Sequence, residues 1–184
     1  VLRRYREMGL TPPREMAGMM VAAILSDTML LKSPTTTSED VAAVEYLEHY
    51  LGEDALEFGR RMYSAKFDIE ALSPQDIVTN DFKIFSLGSK TVGIGQIEVA
   101  DKEQILTRKA EIVEAMQSYQ SQHKLDLVVL MVSDILREGS ELMAVGQTRA
   151  VEKAFGVSLK EQSTFLPGVL SRKKQVVPPI SGVL

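Results

Sequence analysis

The 184-residue sequence contains no cysteine and no tryptophan. Without cysteine there is no disulfide, no zinc–thiolate site and no thiol nucleophile, which fits a reducing cytoplasm. Histidine is scarce: only His49 and His123 occur, and neither stands in a metal-type pair such as H-x-D or H-E-x-x-H. No apolar run approaches the ~20 residues of a membrane helix. The opening "VLRRYREMGL" has no apolar stretch ahead of a small-residue cleavage site, so it does not read as a signal peptide. Positive charge is in deficit, with 21 Lys and Arg against 25 Asp and Glu, a net charge of −4. That balance argues against nucleic acid as a general partner. A glycine-rich phosphate loop is lacking too. "GIGQ" (Gly93 to Gln96) has no following G-K-[ST] and sits in strand chemistry, so its glycines read as close backbone approach or a bulge. The chain starts with valine, inside a stretch that reads as helix, so further sequence is expected upstream.

What is present is ordinary globular material, 45% apolar and 25% charged. The first third reads helical. "VLRRYREM" is stopped by Gly9. Thr11 is expected to cap a helix begun by Pro12 and Pro13. "EMAGMMVAAIL" is apolar all round and so reads as buried, with Met16, Met19, Met20 and Met29 as core filler. After the turn-rich "LLKSPTTTSED", a capping box of Thr37 with Asp40, or Thr36 with Glu39, opens "EDVAAVEYLEHYL", which Gly52 closes. "DALEFGRRMYSA" gives another helix. The segment from Lys66 to Asp81 reads as linker plus a short helix, with a domain boundary in it.

The remainder alternates. "FKIFSL" and "TVGIGQIEV" are strands joined by a turn at Gly88 and Ser89. "DKEQILTRKAEIVEAMQSYQSQH" is one long helix with Ile105, Ile112, Met116 and Tyr119 on its apolar face. "LDLVVLMVSDIL" is a buried strand and "ELMAVG" another. "TRAVEKAFG" is a short helix ending at Gly156. The tail is mixed. Strands alternating with helices predict an α/β fold in two pieces.

Three places carry chemistry. Asp27 ends the apolar helix in "SDT". It is either a metal ligand or active-site carboxylate, or an aspartate capping a helix end; a buried carboxylate needs a strong partner, and a metal supplies one. Arg172, Lys173 and Lys174 stand together in "SRKKQ". They form either a phosphate clamp or a solvated basic tail, and the apolar flanks "FLPGVL" and "VVPPI" speak for at least one cation held in place. Lys83, in "NDFKIF", reads on its own as an exposed lysine on an edge strand. His49 reads as a surface helix histidine, and His123 ends the long helix, where a cation suits the dipole.

Two stretches are more specific than any single residue. "MAGMMVAAILSDTMLLKSPTTTSEDVAAVEYL" and "LPGVLSRKKQVVPP" resemble the manganese-dependent inorganic pyrophosphatases of the DHH phosphoesterase superfamily. "DFKIFSLGSKTVGIGQIEVAD" and "LDLVVLMVSDIL" are similar to that family as well. The resemblance implies that Asp27 ligates manganese, with cobalt or magnesium as alternatives. It implies that Lys83, Arg172 and Lys173 bind pyrophosphate, while Lys174 is assigned no contact. It implies a metal-bearing first domain and a cationic second domain with the site in the cleft between them, two metals activating a water, a cytoplasmic location and a homodimer when complete. The family's H-x-D-x-D cluster and D-H-H motif are missing here, so no catalytic residue is placed. The chain resembles the C-terminal portion: residues 1–66 the end of a mostly helical DHH metal-binding domain, 67–77 a hinge, and 78–184 a smaller mixed-sheet α/β substrate-binding domain. The chain alone is expected to be inactive. The alternatives are an exopolyphosphatase of the same superfamily, against which "SRKKQ" counts, and a non-catalytic phosphate-binding module.

Overall fold

The structure is a computed structural model that describes residues 1–66 and 69–184, without the side chain of Lys66. It divides into two compact units, Val1–Phe67 and Asp68–Leu184. The expected hinge, 67–77, begins with two residues outside those described. Its described remainder includes buried Ile69 and the start of a helix in the second unit.

The first unit is helical: α1 (Leu2–Glu7), α2 (Arg14–Asp27), α3 (Ser38–Leu51) and α4 (Ala55–Lys66). Helix α2 packs on both α3 and α4 through Ala17, Gly18, Met20, Val21 and Leu25. That spacing lines one face of a 3.6-residue period, so α2 is not buried all round. Met19 is 65% exposed, which corrects its reading as core, while Met20 and Met29 are buried. The expected cap from Thr11 is also corrected. The N-cap position of α2 is Pro13 and no side chain caps it. For α3, the pair that forms is Thr37 with Asp40. The Thr37 hydroxyl accepts from the Asp40 amide, and the Asp40 carboxylate accepts from the Thr37 amide at 2.8 Å. The Thr37 hydroxyl also donates to the Asp40 carboxylate at 2.7 Å, and this bond first, with the Thr37 amide second, lowers the Asp40 pKa. Gly52 ends α3 in the left-handed region at φ 77°.

The second unit is a five-stranded mixed sheet with helices on both faces. Its elements are α5 (Pro74–Thr79), β1 (Lys83–Leu87), β2 (Lys90–Val99), α6 (Glu103–Leu106), α7 (Lys109–His123), β3 (Leu127–Asp134), β4 (Gly139–Gly146), α8 (Arg149–Phe155), β5 (Ser163–Pro167), a π-helical turn Arg172–Val176 and α9 (Val177–Ser181). The spatial order is β1-β2-β3-β4-β5. Of these pairs β2 and β3 run parallel and the rest antiparallel, and α6 with α7 forms the crossover that a parallel pair requires. Every residue of β3 is buried, as expected of a central strand covered on both sides. Leu127, Val129 and Met131 face a core shared with Ala150, Val151, Val176 and Ile180. On the opposite side α7 packs on β3 and β4, and α5 packs on α7 and β2.

The expected long helix is two helices. The break falls at Thr107 and Arg108, with neither glycine nor proline involved. Arg108 donates to the carbonyls of Ile69 and Leu72 at 2.9 and 2.8 Å, a tertiary tie that sets the start of α7. Strand β5 went unforeseen in the mixed tail. Among the described residues no helix is long and apolar enough to cross a membrane.

Candidate functional site

The motif "SRKKQ" folds as a π-helical turn, a wider turn often found at functional sites. Side chains within the motif hold it. The Ser171 hydroxyl accepts from the Lys174 amide. The Gln175 carboxamide accepts from the amides of Leu170 and Ser171, both at 2.9 Å, and donates to the Gly168 carbonyl at 2.8 Å. Below the loop, Gln96 donates to the Ser133 hydroxyl at 3.1 Å, and Ser140 donates to the Val169 carbonyl at 2.6 Å. Gln96 also donates to the Leu170 carbonyl at 3.4 Å, so the loop that carries the cations is bonded to β2 and β4.

The three cations of the motif separate by environment. Arg172 is buried, whereas Lys173 and Lys174 are exposed. Arg172 Nη1 donates to the main-chain carbonyls of Asp81 and Ile94, the second at 3.1 Å. Its Nη2 donates to Asp81 Oδ2 at 2.8 Å. A guanidinium taken out of water needs such partners to offset its lost hydration. Lys83 extends from the start of edge strand β1, and its Nζ lies 3.5 Å from Asp81 Oδ1. Lys83 and Arg172, 89 positions apart in the numbering, thus meet on one carboxylate. Asp81 is the residue sequence reasoning missed. It stood inside the quoted "NDFKIF", but nothing local marks a carboxylate that bridges two distant cations.

Asp27 lies in the first unit, exposed at the last position of α2. The chain turns sharply after it. Met29, Leu30 and Leu31 hold φ values of 49°, 57° and 65° in succession, a left-handed run that costs roughly 1–2 kcal/mol per residue. The Thr28 hydroxyl braces the turn, donating to the Ile24 carbonyl at 2.6 Å and accepting from the Leu31 amide at 3.2 Å. Burial of Met29 and Leu30 offsets part of the strain. Among the described residues, no three His, Cys, Asp or Glu side chains gather where they could hold a metal ion. The donor set of the described chain therefore does not by itself fit a manganese centre.

"GIGQ" is strand, as its chemistry indicates. A Cβ at Gly95 would stand 2.3 Å from the Val78 carbonyl oxygen, and one at Gly93 would stand 2.3 Å from the Phe82 ring. These are points of close approach and not a phosphate loop. His49 packs edge-on against Tyr50, and His123 stacks on Tyr119. Both are exposed.

A mixed-sheet α/β domain with cations gathered around one carboxylate defines the class of the second unit. The chain belongs to the DHHA2 domain family, whose model matches residues 60–183. It is similar to the manganese-dependent inorganic pyrophosphatase of Methanothrix thermoacetophila, 45% identical over 179 residues, covering 96% of this chain and 58% of that protein. The cobalt-dependent inorganic pyrophosphatase of Clostridium perfringens is 38% identical over 185 residues, covering 100% of this chain and 34% of that protein. The fold matches the crystal structure of a Methanococcus jannaschii protein taken to be a family II inorganic pyrophosphatase. The TM-score is 0.81 at 40% identity, over 94% of this chain and 57% of that one. The chain thus spans a little under three-fifths of the length of the first of these relatives.

Proposed function

We propose that this chain is the C-terminal portion of a manganese-dependent inorganic pyrophosphatase, which hydrolyses pyrophosphate to two orthophosphates. In this reading residues 1–66 end a metal-binding DHH domain, 67–77 link, and 78–184 bind the substrate. The observation that carries it is the meeting of Arg172 and Lys83 on one carboxylate, with exposed Lys173 next to Arg172 in the chain. That is the chemistry of an anion clamp. Hydrolysis of a phosphoanhydride spreads negative charge over the phosphoryl oxygens and the departing phosphate. Fixed cations stabilise that charge and orient the substrate. Arg172 provides a pre-oriented fork, and the two lysines provide compact charges at its edge.

Asp27 is proposed as one ligand of the metal. The relatives' names support manganese, with cobalt as the alternative. Because the described residues gather no group of three such ligands, no step is assigned to a metal here, and the chain alone is expected to turn over no pyrophosphate. A cytoplasmic homodimer without nucleic-acid partners completes the proposal.

The test is phosphate release from pyrophosphate with manganese. The complete protein should hydrolyse it in preference to long polyphosphate, and Lys173→Ala should raise KM. Preference for long chains would move the assignment to an exopolyphosphatase. Turnover by the 184-residue chain alone would refute the division of labour. Tight pyrophosphate binding to that chain without metal, paired with no hydrolysis by the complete protein, would make it a binding module.

A further inference from the structure

An anion clamp gains nothing obvious from a carboxylate at its centre, yet Asp81 sits there. Its Oδ2 accepts from Arg172 Nη2 at 2.8 Å, and its Oδ1 lies 3.5 Å from Lys83 Nζ. We infer that Asp81 is a specificity-determining residue. Its carboxylate competes with incoming anions for Arg172 and Lys83, and so selects those with enough charge and reach to displace it. The inference rests on the clamp reading above.

Three observations lead to it. First, the carboxylate can leave without disorganising the clamp. The Asp81 side chain is 54% exposed against 4% for Arg172. The orientation of Arg172 is held separately, through Nη1, by the carbonyls of Asp81 and Ile94. Second, the carboxylate is an incomplete partner. It takes Nη2 only, and Arg172 Nε is buried with no hydrogen-bond partner among the described residues. A phosphoryl group that displaces the carboxylate can put one oxygen on Nη2 and keep a second for Lys83. Third, the charge count discriminates. Arg172 and Lys83, with the carboxylate between them, carry a net charge of +1, so a compact, weakly charged anion gains little by exchanging for the carboxylate already in place. A condensed phosphate brings more charge. One of its phosphoryl groups can take Arg172 Nη2 while the other reaches a lysine.

Asp81 holds φ at 34°. Asparagine and glycine both accept that left-handed backbone, so Asp81→Asn and Asp81→Gly are variants compatible with the fold. The experiment titrates the 184-residue chain calorimetrically with pyrophosphate and with orthophosphate. Orthophosphate should bind about fivefold tighter in both variants, the upper end for a half-exposed charge contact. Pyrophosphate should gain less, so the ratio of the two affinities narrows. An unchanged ratio, or weaker binding of both anions, overturns the inference. Lys83→Met separates this outcome from failure of the clamp. If wild type binds pyrophosphate and Lys83→Met weakens it while the Asp81 variants leave the ratio unchanged, only the role of Asp81 falls. If Lys83→Met changes nothing, or no form of the chain binds either anion, the clamp reading falls as well.

Discussion

Arg172→Ala and Lys173→Ala remove neighbouring cations from one motif, yet the structure predicts very unequal effects on stability. Arg172 is 4% exposed and donates to two main-chain carbonyls and one carboxylate. A hydrogen bond from a charged donor contributes about 1.5–3 kcal/mol. The ion pair with half-exposed Asp81 is screened and adds at most about 1 kcal/mol. The two carbonyls lose a shared donor and regain water only in part, so the net loss should be about 3 kcal/mol. Lys173 is exposed, and among the described residues no side chain pairs with it. Its truncation should stay within about 0.5 kcal/mol. Urea unfolding of both variants measures the contrast directly, with the slope unchanged and only the midpoint moved. If the two midpoints coincide, the guanidinium does not brace the second unit, and the argument from its burial is wrong. The contrast also decides how binding data are read. Loss of pyrophosphate affinity in Lys173→Ala reports on the clamp, whereas the same loss in Arg172→Ala mixes clamp and fold.

Gly95→Ala should destabilise by about 1–3 kcal/mol or more, because the new methyl meets the Val78 carbonyl at 2.3 Å; an unchanged melting temperature would contradict that contact. Thr37→Ala should cost about 1 kcal/mol by opening the capping box of α3, seen as a lower unfolding midpoint. Asp126 accepts from the Thr91 amide and from Lys90, at 2.9 and 3.1 Å, and these bonds lower its pKa, the amide first. A carboxyl lowered in the folded state stabilises above its unfolded pKa and loses that contribution as pH falls through the folded value. Below about pH 4 the wild type should therefore lose melting temperature faster than Asp126→Asn; parallel curves would show that the bonds carry no linkage.

Local chemistry was legible where the controlling partner is close in sequence. The Gly88–Ser89 turn, the left-handed ends at Gly52 and Gly156 and the Thr37–Asp40 box each need only a few neighbouring residues, and each formed. What escaped depends on distant partners. The break before α7 is set by Arg108 reaching carbonyls 36 and 39 positions away. Strand β5 exists because β4 offers it an edge from Gly139 to Met143, which the short "FLPGVL" cannot announce. Met19 looked like core because its neighbours do, but helical geometry turns it outward from the face that packs on α3 and α4. The cations of the site were legible as types. The carboxylate that joins them was not, since its partner Arg172 lies 91 positions on.

The two glycines of "GIGQ" explain why that junction forms where it does. Strand β2 presents Gly93 and Gly95 to the side opposite Ile94, which faces the α8 and α9 core. With no Cβ at either position, Phe82 and the Val78 carbonyl come down onto the strand itself. The segment from α5 into β1 then lies close enough for the Gln96 amide to reach the Asn80 carbonyl at 3.1 Å. That descent brings the Asp81 carbonyl near the Ile94 carbonyl, so one guanidinium nitrogen can serve both. Asp81 pays for its place with a left-handed backbone, and its carboxylate is thereby aimed at Arg172 and Lys83. A motif that is no phosphate loop thus shapes the proposed anion site through packing. The corollary is that Gly95→Ala should disturb anion binding as well as stability, by lifting the Asp81 carbonyl off Arg172. If binding survives intact in a destabilised Gly95→Ala protein, the clamp does not depend on that close approach.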